Sequence, residues 1–158
     1  MIRGFVCVLG LAVLGSCGAP GDAPAVAEKK EPAPVVRPPD ESRRFPRTHQ
    51  VKIEIVDNHL LGKEFLPGGN LADYENAGKK YQQFLINAAN GDEATFLMMD
   101  FKDRFRDAKF IGHFGGYFGY DGETPVLLFP RNNYLAGVVG LPQEEADQVA
   151  RDFAARLN

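Results

Sequence analysis

Val51-Lys52-Ile53-Glu54-Ile55 alternates apolar with polar residues, the period of a half-buried strand. Between Leu60 and Gly69 the pattern is broken by Gly62, Pro67, Gly68 and Gly69. Asn70 is placed to cap a short helix over Leu71 to Ala77, with Leu71, Tyr74 and Ala77 facing one way and Gly78 as its stop. Tyr81 to Ala88 reads as a second strand with Phe84, Ile86 and Ala88 on its buried side. Asp92 then caps a longer helix in which Ala94, Leu97, Met98, Phe101, Phe105 and Ala108 recur at helical spacing. A glycine-rich aromatic strand follows from Lys109 to Tyr120. At period two its Phe110, Phe114 and Phe118 share a core face, while His113 and Tyr117 point the other way. Asp121-Gly122 signals a hairpin turn into Val126 to Phe129. Arg131-Asn132-Asn133 turns the chain again into Tyr134 to Val139, and Pro142 opens a last helix with Ala146, Val149, Ala150, Phe153 and Leu157 on one face.

The expected fold is therefore α+β: an antiparallel sheet of about five strands with two amphipathic helices on one face. The stretch Leu71-Ala72-Asp73-Tyr74-Glu75-Asn76-Ala77-Gly78 resembles the Leu-Tyr-Glu-Tyr-Ile-Asn-Gly-Gly signature of an uncharacterised family of exported bacterial proteins. Leu71, Tyr74, Asn76 and Gly78 match, Asp73 is similar, and Ala72, Glu75 and Ala77 depart. The resemblance implies a helix, a meander and a C-terminal helix, an order that suits residues 92–158, and it implies no activity.

The front of the chain carries an address. Arg3 precedes an apolar run from Phe5 to Leu14. That run is too short to span a hydrocarbon core, which takes about 20 helical residues, and reads as a signal peptide. Leu14-Gly15-Ser16-Cys17 follows it and resembles the lipobox of bacterial lipoproteins. The alternative is an ordinary secretory peptide that happens to end near a cysteine. The lipobox resemblance implies cleavage before Cys17, a diacylglyceryl group on its thiol and acylation of its amino group, so that the lipid bilayer is a partner through the acylated Cys17. Two or more acyl chains hold stably where one holds marginally. Gly18 in place of aspartate implies passage to the outer membrane, facing the periplasm.

Prolines 20, 24, 32, 34, 38, 39 and 46 mark a tether that cannot bury enough apolar surface to fold. The expected organisation is a signal peptide over 1–16, a lipidated and disordered tether over 17–50, and one globular domain over 51–158. Arg43, Arg44 and Arg47 cluster near the end of the tether. They suit either an anionic surface or a plain solvated linker.

Composition narrows the chemistry. The 158 residues are 44% hydrophobic and 25% charged, with a net charge of −3, which suits one globular domain with extensions and offers no basic footprint for nucleic acid. Cys7 leaves with the leader and Cys17 takes lipid, so no thiol remains for a disulfide or a nucleophile. The only serines are Ser16 and Ser42, which leaves a serine hydrolase without its nucleophile. No two of His49, His59 and His113 stand at metal-ligand spacing, and no metal or cofactor is expected. Asp100, Asp103 and Asp107 lie beside Arg104 and Arg106, and Asp147 and Asp152 stand four residues before Arg151 and Arg156, the lacing of solvated helix faces. The glycines of residues 111–120 fit neither GxGxxG nor a P-loop, and read as a bent strand or as gaps in an aromatic surface.

The expectation is a non-catalytic interaction or assembly module of the cell envelope, with an envelope protein as partner. The alternative is a carrier of a small apolar or glycan ligand around His113, Tyr117 and Tyr120. A third reading is an enzyme whose carboxylates converge only in the fold.

Overall fold

Among residues 37–158, the part of the chain that the computed structural model describes, seven segments adopt strand geometry and two form α-helices. The leader, Cys17 and the tether as far as residue 36 lie outside the described residues. Strands β1 (Gln50–Asn58), β2 (Pro67–Asn76) and β3 (Lys79–Asn87) form a first meander. Helix α1 (Gly91–Lys102) leads to a second meander of β4 (Arg106–Ile111), β5 (Gly116–Asp121), β6 (Thr124–Arg131) and β7 (Tyr134–Val139), and α2 (Gln143–Ala154) follows. They make one sheet in the order β1-β2-β3-β7-β6-β5-β4, with every pair of neighbours antiparallel.

The class is α+β, and the strand count is seven rather than about five. The helix expected over Leu71 to Ala77 is the second half of β2. Ala72 and Tyr74 are buried on one face of that strand and Leu71 on the other, so burial on both sides hides the period of two. Asn76-Ala77-Gly78-Lys79 is the hairpin turn to β3, with positive φ at Ala77 (50°) and Gly78 (78°). The single glycine-rich strand is also two strands, β4 and β5. The chain reverses between them, where Phe114 N–H donates to the Ile111 carbonyl at 3.1 Å and Gly115 N–H to that of Gly112 at 3.2 Å. The reversal undoes the expected common face: Phe118 is core, but Phe110 is 57% exposed. Helix α1 is shorter than its stripe suggested. Asn90 caps it by accepting from Glu93 N–H at 2.9 Å, while Glu93 accepts from the N–H of Ala89, just ahead of the cap, at 2.7 Å. Its continuation folds back, with Phe105 against Phe101 at 5.2 Å between ring centroids, and Ala108 is exposed in β4.

The two helices do not share a face. Met98 and Phe101 of α1 pack with Leu71, Phe84, Ile86, Val126, Leu128 and Leu135. Ala146, Ala150 and Phe153 of α2 pack with the alternate residues of the same strands, including Ala72, Leu85, Leu127, Phe129, Ala136 and Val138. Strands β3, β6 and β7 are apolar on both sides, so each side needs its own cover. The sheet lies between an α1 face and an α2 face.

The packed chain also begins before Val51, which corrects the expected start of the domain. Phe45 is 1% exposed and stands 5.0 Å from Phe153, centroid to centroid. Asn70, buried rather than capping, accepts from Glu41 N–H at 3.1 Å and donates to the Pro39 carbonyl at 2.9 Å. Glu41 accepts from Tyr134 Oη at 3.0 Å and from Arg44 Nε at 2.8 Å, and Tyr74 donates to the Pro46 carbonyl at 2.8 Å. Residues 39–46 are thus a strap over the α2 face. Its local sequence is proline-rich, but a single phenylalanine fills a core position and long-range bonds satisfy its backbone.

Candidate functional site

Cys17, the expected lipidation site, lies outside the described residues. The other three expected site residues are brought to different places. His113 sits in the turn between β4 and β5, with Nε2 2.5 Å from Asp147 Oδ1 on α2. Arg151 completes this cluster, with Nε 2.7 Å from Asp147 Oδ2 and Nη2 3.1 Å from His113 Nε2. Partial burial pushes the Asp147 carboxyl up, but the hydrogen bonds and charges of Arg151 and His113 outweigh it and hold the carboxyl below its usual 3.8. Tyr120 packs on the α2 side beside Phe118, at 5.7 Å between centroids. Tyr117 belongs to the opposite face, edge-on to Phe110 at 5.3 Å and below the Lys102 ammonium at 5.5 Å. A carrier built on His113, Tyr117 and Tyr120 together has no common surface.

The surface that the fold does leave open is half of the α1 face. Helix α1 has 12 residues and β2 has 10, which correspond to about 18 Å and about 33 Å. The helix covers the sheet over Phe84, Ile86, Leu128 and Leu135. Past its reach lie two hollows of about 480 and 620 Å³ that share Gln82, Thr124 and Val139. Val56, Leu71, Val126 and Val139 line the larger hollow, with Phe101 of α1 among its walls. Polar side chains stand among them, and Gln82 Nε2 donates to Asp73 Oδ1 at 2.7 Å.

A loop after β1 makes one wall. Leu60 is fully buried and anchors it, while His59, Leu61 and Gly62 all have positive φ, at 55°, 56° and 70°. A left-handed leucine stores strain, and such strain gathers where a binding surface needs a fixed shape. Lys63 on this loop reaches across to Asp121 at the end of β5, Nζ to Oδ2 2.5 Å. These residues were not singled out from the sequence. A signal for them existed: along the α1-face positions of β3, Lys80 and Gln82 are polar while Phe84 and Ile86 are apolar, which marks where the cover ends.

A second groove of about 570 Å³ runs on the α2 face between the chain before β1, β3 and the end of α2. Gln83 lines it, 1% exposed, and its Oε1 has no partner among the described residues. The carboxylates gathered near the strap and near His113 are engaged by cations, Glu41 by Arg44 and Asp147 by Arg151. Among the described residues no three of His, Cys, Asp and Glu converge as a metal site, and no helix is long and apolar enough to cross a membrane. No protein-family model, no curated protein and no solved structure matches this chain.

Proposed function

We propose that this protein is a lipoprotein of the bacterial cell envelope, anchored through Cys17 in the outer membrane and facing the periplasm, whose folded part is a non-catalytic interaction module. Leu14-Gly15-Ser16-Cys17 after a ten-residue apolar run supports the anchor, and Gly18 supports the outer membrane. The observation that carries the module is the bare half of the α1 face. Half-buried Val56 and Val139 stand there over buried Leu71 and Val126, edged by polar residues and walled by a strained loop, which has the make-up of a recognition surface. The occupant is a segment of an envelope protein, a reading supported by two hollows that adjoin at Gln82, Thr124 and Val139 rather than one cavity closed around a small molecule.

Two experiments test this reading. Fractionation of cells carrying Cys17→Ala should move the protein from the membrane to the soluble fraction; a membrane-bound variant refutes the anchor. Gln82→Trp fills the junction of the two hollows. Pull-down of the lipidated protein from its own membranes should recover a partner with the wild type and lose it with Gln82→Trp. Equal recovery by both refutes the surface.

A further inference from the structure

The sheet has two edges, and they are built differently. β4 is short and charged, with Arg106, Asp107 and Lys109 in six residues, an irregular register between Arg106 and Lys109, and Asp107 at a φ of 56°. Those are the devices that stop a strand edge from pairing with another chain. β1 has nine residues and no proline, and it is regular from Lys52 to Asn58, with a register shift only between Gln50 and Lys52. Among the described residues its one neighbour in the sheet is β2. Its outer row of N–H and C=O groups is a template for a further strand.

We propose that β1 pairs with β1 of a second copy of this chain, joining two sheets into one across a two-fold axis perpendicular to them. Charge and parity choose this occupant and its register. Such an axis keeps the two faces distinct, so residues opposite each other must lie on the same face. Within the regular stretch five centres, Ile53 to Asp57, allow three or more opposed positions. Centring on Asp57 sets two aspartates against each other, and centring on Val56 sets Ile55 against the partner's Asp57. Centring on Glu54 sets two glutamates against each other. Centring on Ile55 sets Ile53 against the partner's Asp57 and Lys52 against the partner's Asn58. Centring on Ile53 sets Lys52 against the partner's Glu54, twice by symmetry, with the two isoleucines between them. Val51, 67% exposed, lies at the register shift just outside this stretch and is not counted among the pairs. Lys52 and Glu54 already lie on one face, Nζ 2.5 Å from Oε2. The dimer extends that exposed pair into an alternating four-charge cluster and covers β-branched side chains next to it. This inference rests on the β1 edge alone and stands apart from the lipid anchor and the α1-face surface.

The test uses cysteine crosslinking of the full chain in intact cells, wherever the chain resides. Ile53 sits on the axis, where opposed Cα atoms are about 4.5–5.5 Å apart, within the span of a disulfide. On mild oxidation Ile53→Cys, although half-buried, should give a crosslinked dimer, and Phe96→Cys, at a position 69% exposed on the outer side of α1, should not. In the Ile53→Cys background, Lys52→Glu or Glu54→Lys alone sets like charges against each other and should cut the crosslink at least about tenfold. Co-expression of these two variants restores opposite charges and should restore the crosslink between them, which shows that each is folded. The proposal is overturned if Ile53→Cys crosslinks no more than Phe96→Cys, or if crosslinking ignores the charge reversals and their pairing.

Discussion

On its α2 face the sheet is covered twice, by α2 and by the 39–46 strap, with the Gln83 groove left beside them, whereas on its α1 face the same strands run out from under one short helix. The doubly covered face holds Phe45, Tyr74, Phe129 and Phe153 as large, fully covered side chains. The other face passes within one strand from buried Phe84 and Ile86 to Gln82 and Lys80. One set of backbones therefore supports a core on one side and both a core and a surface on the other. A sheet face is closed only as far as its cover reaches, and the strand's own side chains record the limit.

The largest expected effect breaks the doubly covered face from within. A Cβ on Gly116 would stand 2.0 Å from the Leu128 carbonyl oxygen and 2.9 Å from Phe129 Cα, both backbone atoms of β6. Gly116→Val should cost more than about 4 kcal/mol in urea unfolding, or prevent folding. The cause is lack of room, since positive φ belongs to its neighbour Gly115, at 64° with open space around it.

Removing the strap comes next. Phe45→Ala empties a core position and should lose about 3–5 kcal/mol in the same measurement, although Phe45 precedes every strand. An unchanged midpoint would make the strap an ornament of the fold. Asn70→Ala leaves Glu41 N–H and the Pro39 carbonyl without their partner and should cost about 1–3 kcal/mol, with faster proteolysis ahead of Val51.

A smaller effect depends on pH. The Asp147 carboxyl is held below 3.8 in the folded state, so its contribution is fully present above that value and is lost as pH falls through the lowered one. Asp147→Asn should therefore narrow the gap in melting temperature between wild type and variant below about pH 3.8, and His113→Ala should cost less than about 1 kcal/mol at neutral pH, since the His113 side chain is 44% exposed. On the open face, Gln82→Trp should leave stability within about 0.5 kcal/mol while it changes binding. A large loss there would mean that the face is core.

The sequence was most legible where one side of an element meets water or where tight turns bound a strand covered on both sides. β1 alternates, β7 is bounded by turns that fix it to Tyr134–Val139, and α2 carries its apolar residues on one face. It was least legible where both sides are covered. Leu71, Ala72 and Tyr74 are all buried, which erases the alternation and left a helical spacing to be read instead. The strap was hidden for the opposite reason: its prolines and charges are those of a free linker, and only Phe45 betrays a core. Of the candidate surface, Gln82, Thr124 and Val139 come from three strands, and no spacing within one strand brings them together.

The strand order also sets a sequence of assembly. β1 to β3 and β4 to β7 are each stitched by neighbours in the chain, so either meander can form from local encounters. One seam, from Gln82 against Val139 to Asn87 against Tyr134, unites them, and it must wait until α1 and three strands have been made. Contacts between residues far apart in the chain are slow to close because the loop between them must be ordered first. Phe45 meets Phe153 over a still longer span, and Arg44 Nη1 donates to the Arg156 carbonyl at 3.1 Å. Contact separation thus predicts that the meeting of the two ends of the domain comes last in folding, with the aromatic core under α2 open to water until then.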